Sequence, residues 1–144
     1  MARRHCGRAR RAPPRPETRP LTAEEQRRFE AGRAQYDGSC AGCHQPDGAG
    51  QAGVARGLVG SPWVLGSPNR LIRVVLHGKE GEMLMPPMGG ALTDEQMANV
   101  LTYVRRAWGN AATPISPAEV AEIRGATMGR TKPWTDEELR RINR

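Results

Sequence analysis

Cys40-Ala41-Gly42-Cys43-His44 is the stretch of this 144-residue chain whose residue types and spacing dictate a chemistry by themselves. Two thiols at that spacing can each form a thioether to a vinyl group of a porphyrin, and the imidazole that follows directly can lie beneath the ring as a ligand to its iron. A C-x-x-C pair alone also suits a redox dithiol or half of a zinc site, so the weight rests on His44 and on what lies downstream. A zinc module would call for a second C-x-x-C or an H-x-x-x-H, and the chain has neither. A thioredoxin-like oxidoreductase would call for a strand before the motif, and no alternating strand pattern precedes it.

A second signal stands at Met85-Pro86-Pro87, 41 residues after His44. A thioether is a soft ligand, and a Met sulfur opposite a His nitrogen favours ferrous iron and raises the reduction potential. Pro86 biases Met85 away from helical geometry, and neither proline has a backbone donor, so the segment reads as a stiff extended strap. Met83 and Met88 place two more sulfurs beside it, so Met85 is the expected ligand with Met83 or Met88 as replacements. His77 is the other distal alternative, although a lone imidazole at a helix end also reads as a C-terminal cap interacting with the dipole.

The elements that must position these groups follow from caps and periodicity. Thr22-Ala23-Glu24-Glu25 is a capping box opening a helix toward Cys40. Ser67-Pro68 starts a second helix with Leu71, Ile72, Val75 and Leu76 on its apolar face and Gly78 at its end. Thr93-Asp94-Glu95-Gln96 caps a third, which buries Met97, Val100, Leu101 and Val104 and stops at Gly109-Asn110. Short helices are expected from Ser116-Pro117 to about residue 126 and after Thr135. The class is all-α. Residues 45–66 carry six glycines and no helical period; a cofactor edge wrapped by Val54, Leu58, Val59, Trp63 and Leu65 accounts for so long an irregular loop.

Composition fits one small domain completed by a cofactor. One Phe, two Tyr and three Trp make a thin core, and a covalently fixed porphyrin would supply the missing apolar mass. Charge is uneven: residues 1–20 hold seven Arg against Glu17, while the other 124 residues hold 15 basic and 14 acidic side chains. The basic pI therefore belongs to an Arg- and Pro-rich tail, expected to be disordered, and nucleic-acid binding by the domain has no support. Cys6 in that tail is assigned no role. The expected organisation is a basic tail over 1–20, a haem domain over 21–110 and a C-terminal extension over 111–144.

From about Thr22 to Asn110 the chain resembles the small class I cytochromes c, of the type found in quinoprotein dehydrogenases and haem-copper oxidase subunits. The resemblance rests on C-A-G-C-H, on M-P-P-M-G-G and on L-T-D-E-Q-M-A-N-V-L-T-Y-V-R-R-A-W-G-N; Met88 stands where an aromatic often follows the two prolines. It implies a cytochrome c fold, with three core helices around one covalent haem c, joined here by short C-terminal helices. It also implies a close crossing in which Gly32 and Tyr36 meet Val100 and Tyr103. The expected cofactor-binding set is Cys40, Cys43, His44, Met85, Pro86, Arg56, Trp63 and Arg73, with His44 and Met85 on the iron and the arginines or the Trp63 indole N–H on propionates.

The functional expectation is an electron carrier rather than an enzyme, taking electrons from a periplasmic dehydrogenase and passing them to an oxidase or another cytochrome. Alternatives are the haem domain of a larger oxidoreductase and a haem sensor or peroxidase-like protein. Haem attachment implies a periplasmic or extracytoplasmic location, yet residues 1–20 contain no apolar run of a leader's length. A mispredicted start, a domain cut from a longer chain or another export route would reconcile the two. No stretch approaches the roughly 20 apolar residues of a membrane span.

Overall fold

The computed structural model describes residues 19–142; the expected disorder of the basic tail and the position of Cys6 lie almost wholly outside them. The chain forms α1 (Ala23–Ser39), α2 (Ala41–His44), α3 (Pro62–Leu65), α4 (Pro68–His77), α5 (Asp94–Arg106), α6 (Pro117–Ala126) and α7 (Asp136–Arg141). Among the described residues there are isolated backbone bridges but no strand, so the all-α class holds.

Capping chemistry sets four helix starts. In α1, Thr22 Oγ1 accepts from the Glu25 amide while the Glu25 carboxylate accepts from the Thr22 amide, which satisfies two otherwise orphaned donors. Thr93 with Gln96, Ser116 with Glu119 and Thr135 with Glu138 repeat the device at α5, α6 and α7. Helix α4 instead starts at a proline, whose missing N–H costs nothing in the first turn, and ends at Gly78 with φ 82°.

The core is built where α1 crosses α5. A Cβ placed on Gly32 would lie 2.0 Å from the Asn99 carbonyl oxygen and 2.9 Å from Tyr103 Cβ, so only a residue without a side chain permits this approach. Around the crossing, Tyr36, Tyr103 and Trp108 form an aromatic cluster with ring centroids 5.2 to 5.5 Å apart, and Phe29 joins it at 5.1 Å from Tyr103. Met97, Val100, Leu101 and Val104 of α5 and Leu71, Ile72 and Leu76 of α4 are buried against this frame.

Two details depart from the sequence expectation. The long loop is interrupted by α3, and α5 ends at Arg106 rather than at Gly109-Asn110. Beyond that end Trp108 takes a positive φ of 56° and buried Asn110 turns inward. The Asn110 side chain donates to the carbonyls of Leu58 and Val104 and accepts from the Gly60 amide, fixing the glycine-rich loop to the helix terminus.

Arg105 is 2% exposed and donates to the carbonyls of Val64, Gly66 and Thr113 and to Thr113 Oγ1. A guanidinium meets several acceptors at fixed angles, which suits it to join α3, α5 and the chain after Asn110 at one point. The C-terminal extension packs on the rest: α6 contacts both α4 and α5, with Ile115 and Val120 fully buried.

Candidate haem site

The haem motif begins at Cys40, which caps the end of α1, and continues through α2. The amides of Cys43 and His44 both donate to the Cys40 carbonyl, giving the tight turn that holds two thiols and an imidazole together. His44 Nδ1 lies 2.9 Å from the carbonyl oxygen of Arg56, and because a carbonyl only accepts, Nδ1 carries the proton. The unprotonated nitrogen of the neutral ring is then Nε2, the one available to a metal. Gln45 follows with φ 67° and ψ 155°, a strained conformation for a residue with a side chain. Its carbonyl is held by the Tyr36 hydroxyl at 2.6 Å.

Burial, with a smaller contribution from Cys43, pushes the Cys40 thiol up to about 11. A thioredoxin-like oxidoreductase would also need a strand before the motif, and the described residues hold none. Among the described residues no three His, Cys, Asp or Glu side chains converge on a metal position, so the zinc alternative also lacks its donor set.

Cys40, Cys43 and His44 open onto a cavity of about 1110 Å³, measured with its open mouth. The lining is mainly aliphatic, with Val64, Leu71, Val100 and Leu101 from the core and Val54 and Leu58 from the glycine-rich loop. Met83, Met85 and Met88 line the same cavity, as does Pro86. Two thiols, a correctly tautomerised imidazole and a thioether around one large apolar space are the donor set and the environment that a covalent haem requires, and the residues present fit it.

The strap is fixed from within. Met85 and Lys79 exchange reciprocal backbone hydrogen bonds, each 3.0 Å. Gly78 makes this possible, since a Cβ there would lie 2.5 Å from the Met85 carbonyl oxygen. Met88 is anchored separately, its amide donating to the Val75 carbonyl, and its side chain packs against the core cluster. Met83 precedes Leu84, which is 60% exposed.

The remaining sequence candidates fall on different sides of the cavity wall. Trp63 and Arg56 line it, whereas Arg73 does not. The Arg73 guanidinium donates to Asn69 and lies 5.9 Å from the Trp134 ring centroid, so a propionate role for Arg73 is not what its placement offers. Helical phase explains this, because Leu71 and Val74 of the same helix take the cavity-facing positions. His77 is also turned away. Thr127 Oγ1 donates to the Ile123 carbonyl and is left to accept from His77 Nε2, 2.7 Å away, which commits that nitrogen outside the cavity.

Lys79 carries no signal in the sequence, yet it is 8% exposed and lines the cavity. Its ammonium lies 5.0 Å from the Trp63 ring centroid and pairs with Asp136, whose carboxyl it holds below the usual range. The Arg56 guanidinium and the Lys79 ammonium both approach Gly81. Two cations, the Asp136 carboxylate and an indole therefore gather at one edge of an otherwise apolar cavity, where acidic substituents of a cofactor would find hydrogen-bond donors.

Residues 27–104 match the family model described as cytochrome c oxidase, cbb3-type, subunit III. The gluconate 2-dehydrogenase cytochrome c subunit of Pantoea cypripedii is 32% identical over 106 residues, covering 66% of this chain and 24% of that subunit. The fructose dehydrogenase cytochrome subunit of Gluconobacter japonicus is 38% identical over 105 residues, covering 65% of this chain and 22% of that one. A cytochrome c-552 of Thermus thermophilus is 31% identical over 126 residues, and the alignment covers 76% of each chain. The chain thus spans about a quarter of the length of the dehydrogenase subunits it matches. With one C-x-x-C-H motif in this sequence and a cavity to match, the chain belongs to the class I cytochrome c family.

Proposed function

We propose that His44 and Met85 would hold the iron of a single haem c, and that this protein carries electrons from a periplasmic dehydrogenase to an oxidase or another cytochrome. The observation that carries the reading is the pairing of a His44 ring whose Nδ1 is occupied by the Arg56 carbonyl with a Met85 backbone pinned on both sides to Lys79, both facing one cavity. Bound there, haem c supplies reversible one-electron chemistry at iron.

The protein's own residues do the rest. The Arg56 carbonyl keeps His44 in one tautomer and orientation, so the ligand needs no rearrangement when the iron changes charge. Met85 is favoured over its neighbours by position: Met88 packs against the core cluster and Met83 sits beside exposed Leu84, while Met85 is bonded through both its backbone groups to cavity-lining Lys79. The aliphatic lining excludes water, which disfavours extra charge on the ferric site and supports a raised potential. Held by two side chains in this way, the iron would supply electron transfer rather than substrate turnover.

Exposed Val54 and Leu84 lie at the cavity lining near exposed Cys43, and this rim is where a partner would approach the haem edge. The matched dehydrogenase subunits favour a dehydrogenase as donor, and the small share of their length that is matched favours a second reading, in which residues 21–110 serve as one haem domain of a larger oxidoreductase and 111–144 as its bracing extension. The domain is placed in the periplasm on this reading, and no helix among the described residues is long and apolar enough to cross a membrane.

The test is export to a periplasm with haem-attachment machinery, followed by denaturing electrophoresis and a redox titration. One haem per chain that survives denaturation, is lost in Cys40→Ala/Cys43→Ala, and is reduced by a quinoprotein dehydrogenase supports the proposal. Haem that attaches but accepts no electrons from any such dehydrogenase contradicts the donor assignment.

A further inference from the structure

The C-terminal extension reaches the ligand strap through a continuous run of backbone bonds. The Trp134 amide donates to the Gly78 carbonyl at 2.9 Å, and the Glu80 amide donates to the Trp134 carbonyl at 2.8 Å. Lys79 therefore has Trp134 bonded to its two chain neighbours while its own backbone is bonded to Met85. Its side chain repeats the link, lining the cavity at one end and pairing with Asp136, the first residue of α7, at its ammonium.

Trp134 is itself gripped. The Arg130 guanidinium lies 3.4 Å from the centroid of its ring, Arg73 lies 5.9 Å away, and His77 meets the ring at 6.3 Å. Arg130 is held in turn by Glu138 and by the carbonyls of Lys132 and Pro133. The buried Trp134 Nε1 has no hydrogen-bond partner among the described residues, so the ring acts through its faces rather than its N–H. Between Lys79 and Met85, in contrast, Glu80, Gly81, Glu82 and Leu84 are exposed, so the intervening turn has little packing to stiffen it.

We propose that residues 130–142 form a clasp in which Trp134 and Asp136 are positioning residues for Met85, acting through Lys79 to keep its sulfur against the haem cavity. This rests on Met85 being the distal ligand. A strap held on one side only by two backbone bonds would open often; with Lys79 fixed from both sides, opening requires the Trp134 contacts to break as well.

Imidazole added to the ferric full-length holoprotein competes with the thioether, and its apparent affinity rises with the fraction of molecules in which the distal position is open. Trp134→Ala is expected to tighten imidazole binding about tenfold and Asp136→Asn about threefold, following that open fraction. Trp134→Phe, which keeps the ring, and Glu137→Gln, which breaks only the exposed pair with Arg141, should leave it unchanged. Should Trp134→Ala fail to fold, Asp136→Asn carries the test, since its carboxylate side chain is 48% exposed and its loss leaves the core intact. Unchanged imidazole affinity in the folded clasp variants, with the far-red sulfur-to-iron band lost in Met85→Ala, overturns the clasp alone. A far-red band that survives Met85→Ala overturns the ligand assignment and the clasp with it.

Discussion

The Tyr36 hydroxyl donates to the carbonyl of Gln45 at 2.6 Å, tying the aromatic centre of the helix crossing to the residue that follows His44. Gln45 is in a strained backbone conformation, so this bond stabilises the exit from the haem motif in the direction that sets His44 against the cavity. One side chain thereby links the core, through the Tyr103 and Trp108 rings, to the proximal ligand.

Removal of that hydroxyl isolates its contribution. Tyr36→Phe retains the ring contacts but leaves the Gln45 carbonyl without this donor, and is expected to destabilise the holoprotein by about 1–2 kcal/mol. Denaturant unfolding followed by far-UV dichroism measures it; a variant as stable as wild type would show that the strain is carried elsewhere.

The helix crossing tolerates no side chain. Gly32→Ala would put a methyl 2.0 Å from the Asn99 carbonyl oxygen, and the helices would have to part at a cost on the order of 3 kcal/mol. Gly38 on the same helix has nothing within 4 Å of such a methyl, so Gly38→Ala should be neutral or slightly stabilising in the same melt.

Arg105 is a joint rather than a surface cation. Arg105→Met would leave the buried Val64 carbonyl and the part-buried Gly66 and Thr113 carbonyls short of a donor, with a loss on the order of 3 kcal/mol. Arg105→Lys should recover little of it, because a single ammonium cannot reach all these acceptors at the required angles. Thermal unfolding of the two variants against wild type decides the point.

His77 predicts a pH dependence of stability. Burial, followed by Arg130, Arg124 and Arg73, holds its folded value below the ordinary 6.5. The unfolded chain then binds the proton more readily, so this contribution is complete above the unfolded value, is lost as pH falls through it, and levels off below the folded value. The difference in stability between wild type and His77→Gln should therefore shift toward the variant as pH falls from about 7 to about 5. A pH-independent difference would mean that His77 does not titrate differently on folding.

Much of this architecture is legible in the sequence because local rules suffice for it. The four capping boxes start helices where their Ser and Thr residues stand, whereas the crossing at Gly32 is expected only through the resemblance to the class I cytochromes c. The residues that escape such rules are those whose roles depend on distant partners. Lys79 and Arg105 carry no local signal, since nothing near them in the chain announces Asp136 or the Val64 and Gly66 carbonyls. Arg56 stands out in the sequence for its charge, yet its backbone carbonyl makes the bond to His44. Trp134 stands in a connector without apolar period, and only the folded chain brings it to Gly78 and Glu80.

The most direct measurement is the far-red absorption of the ferric holoprotein, compared among wild type, Met83→Ala, Met85→Ala and Met88→Ala. Loss of the sulfur-to-iron band in Met85→Ala alone, with covalent haem retained in all four proteins, is the predicted result. A band that persists in Met85→Ala and disappears in Met83→Ala or Met88→Ala would contradict the assignment of Met85 as the distal ligand.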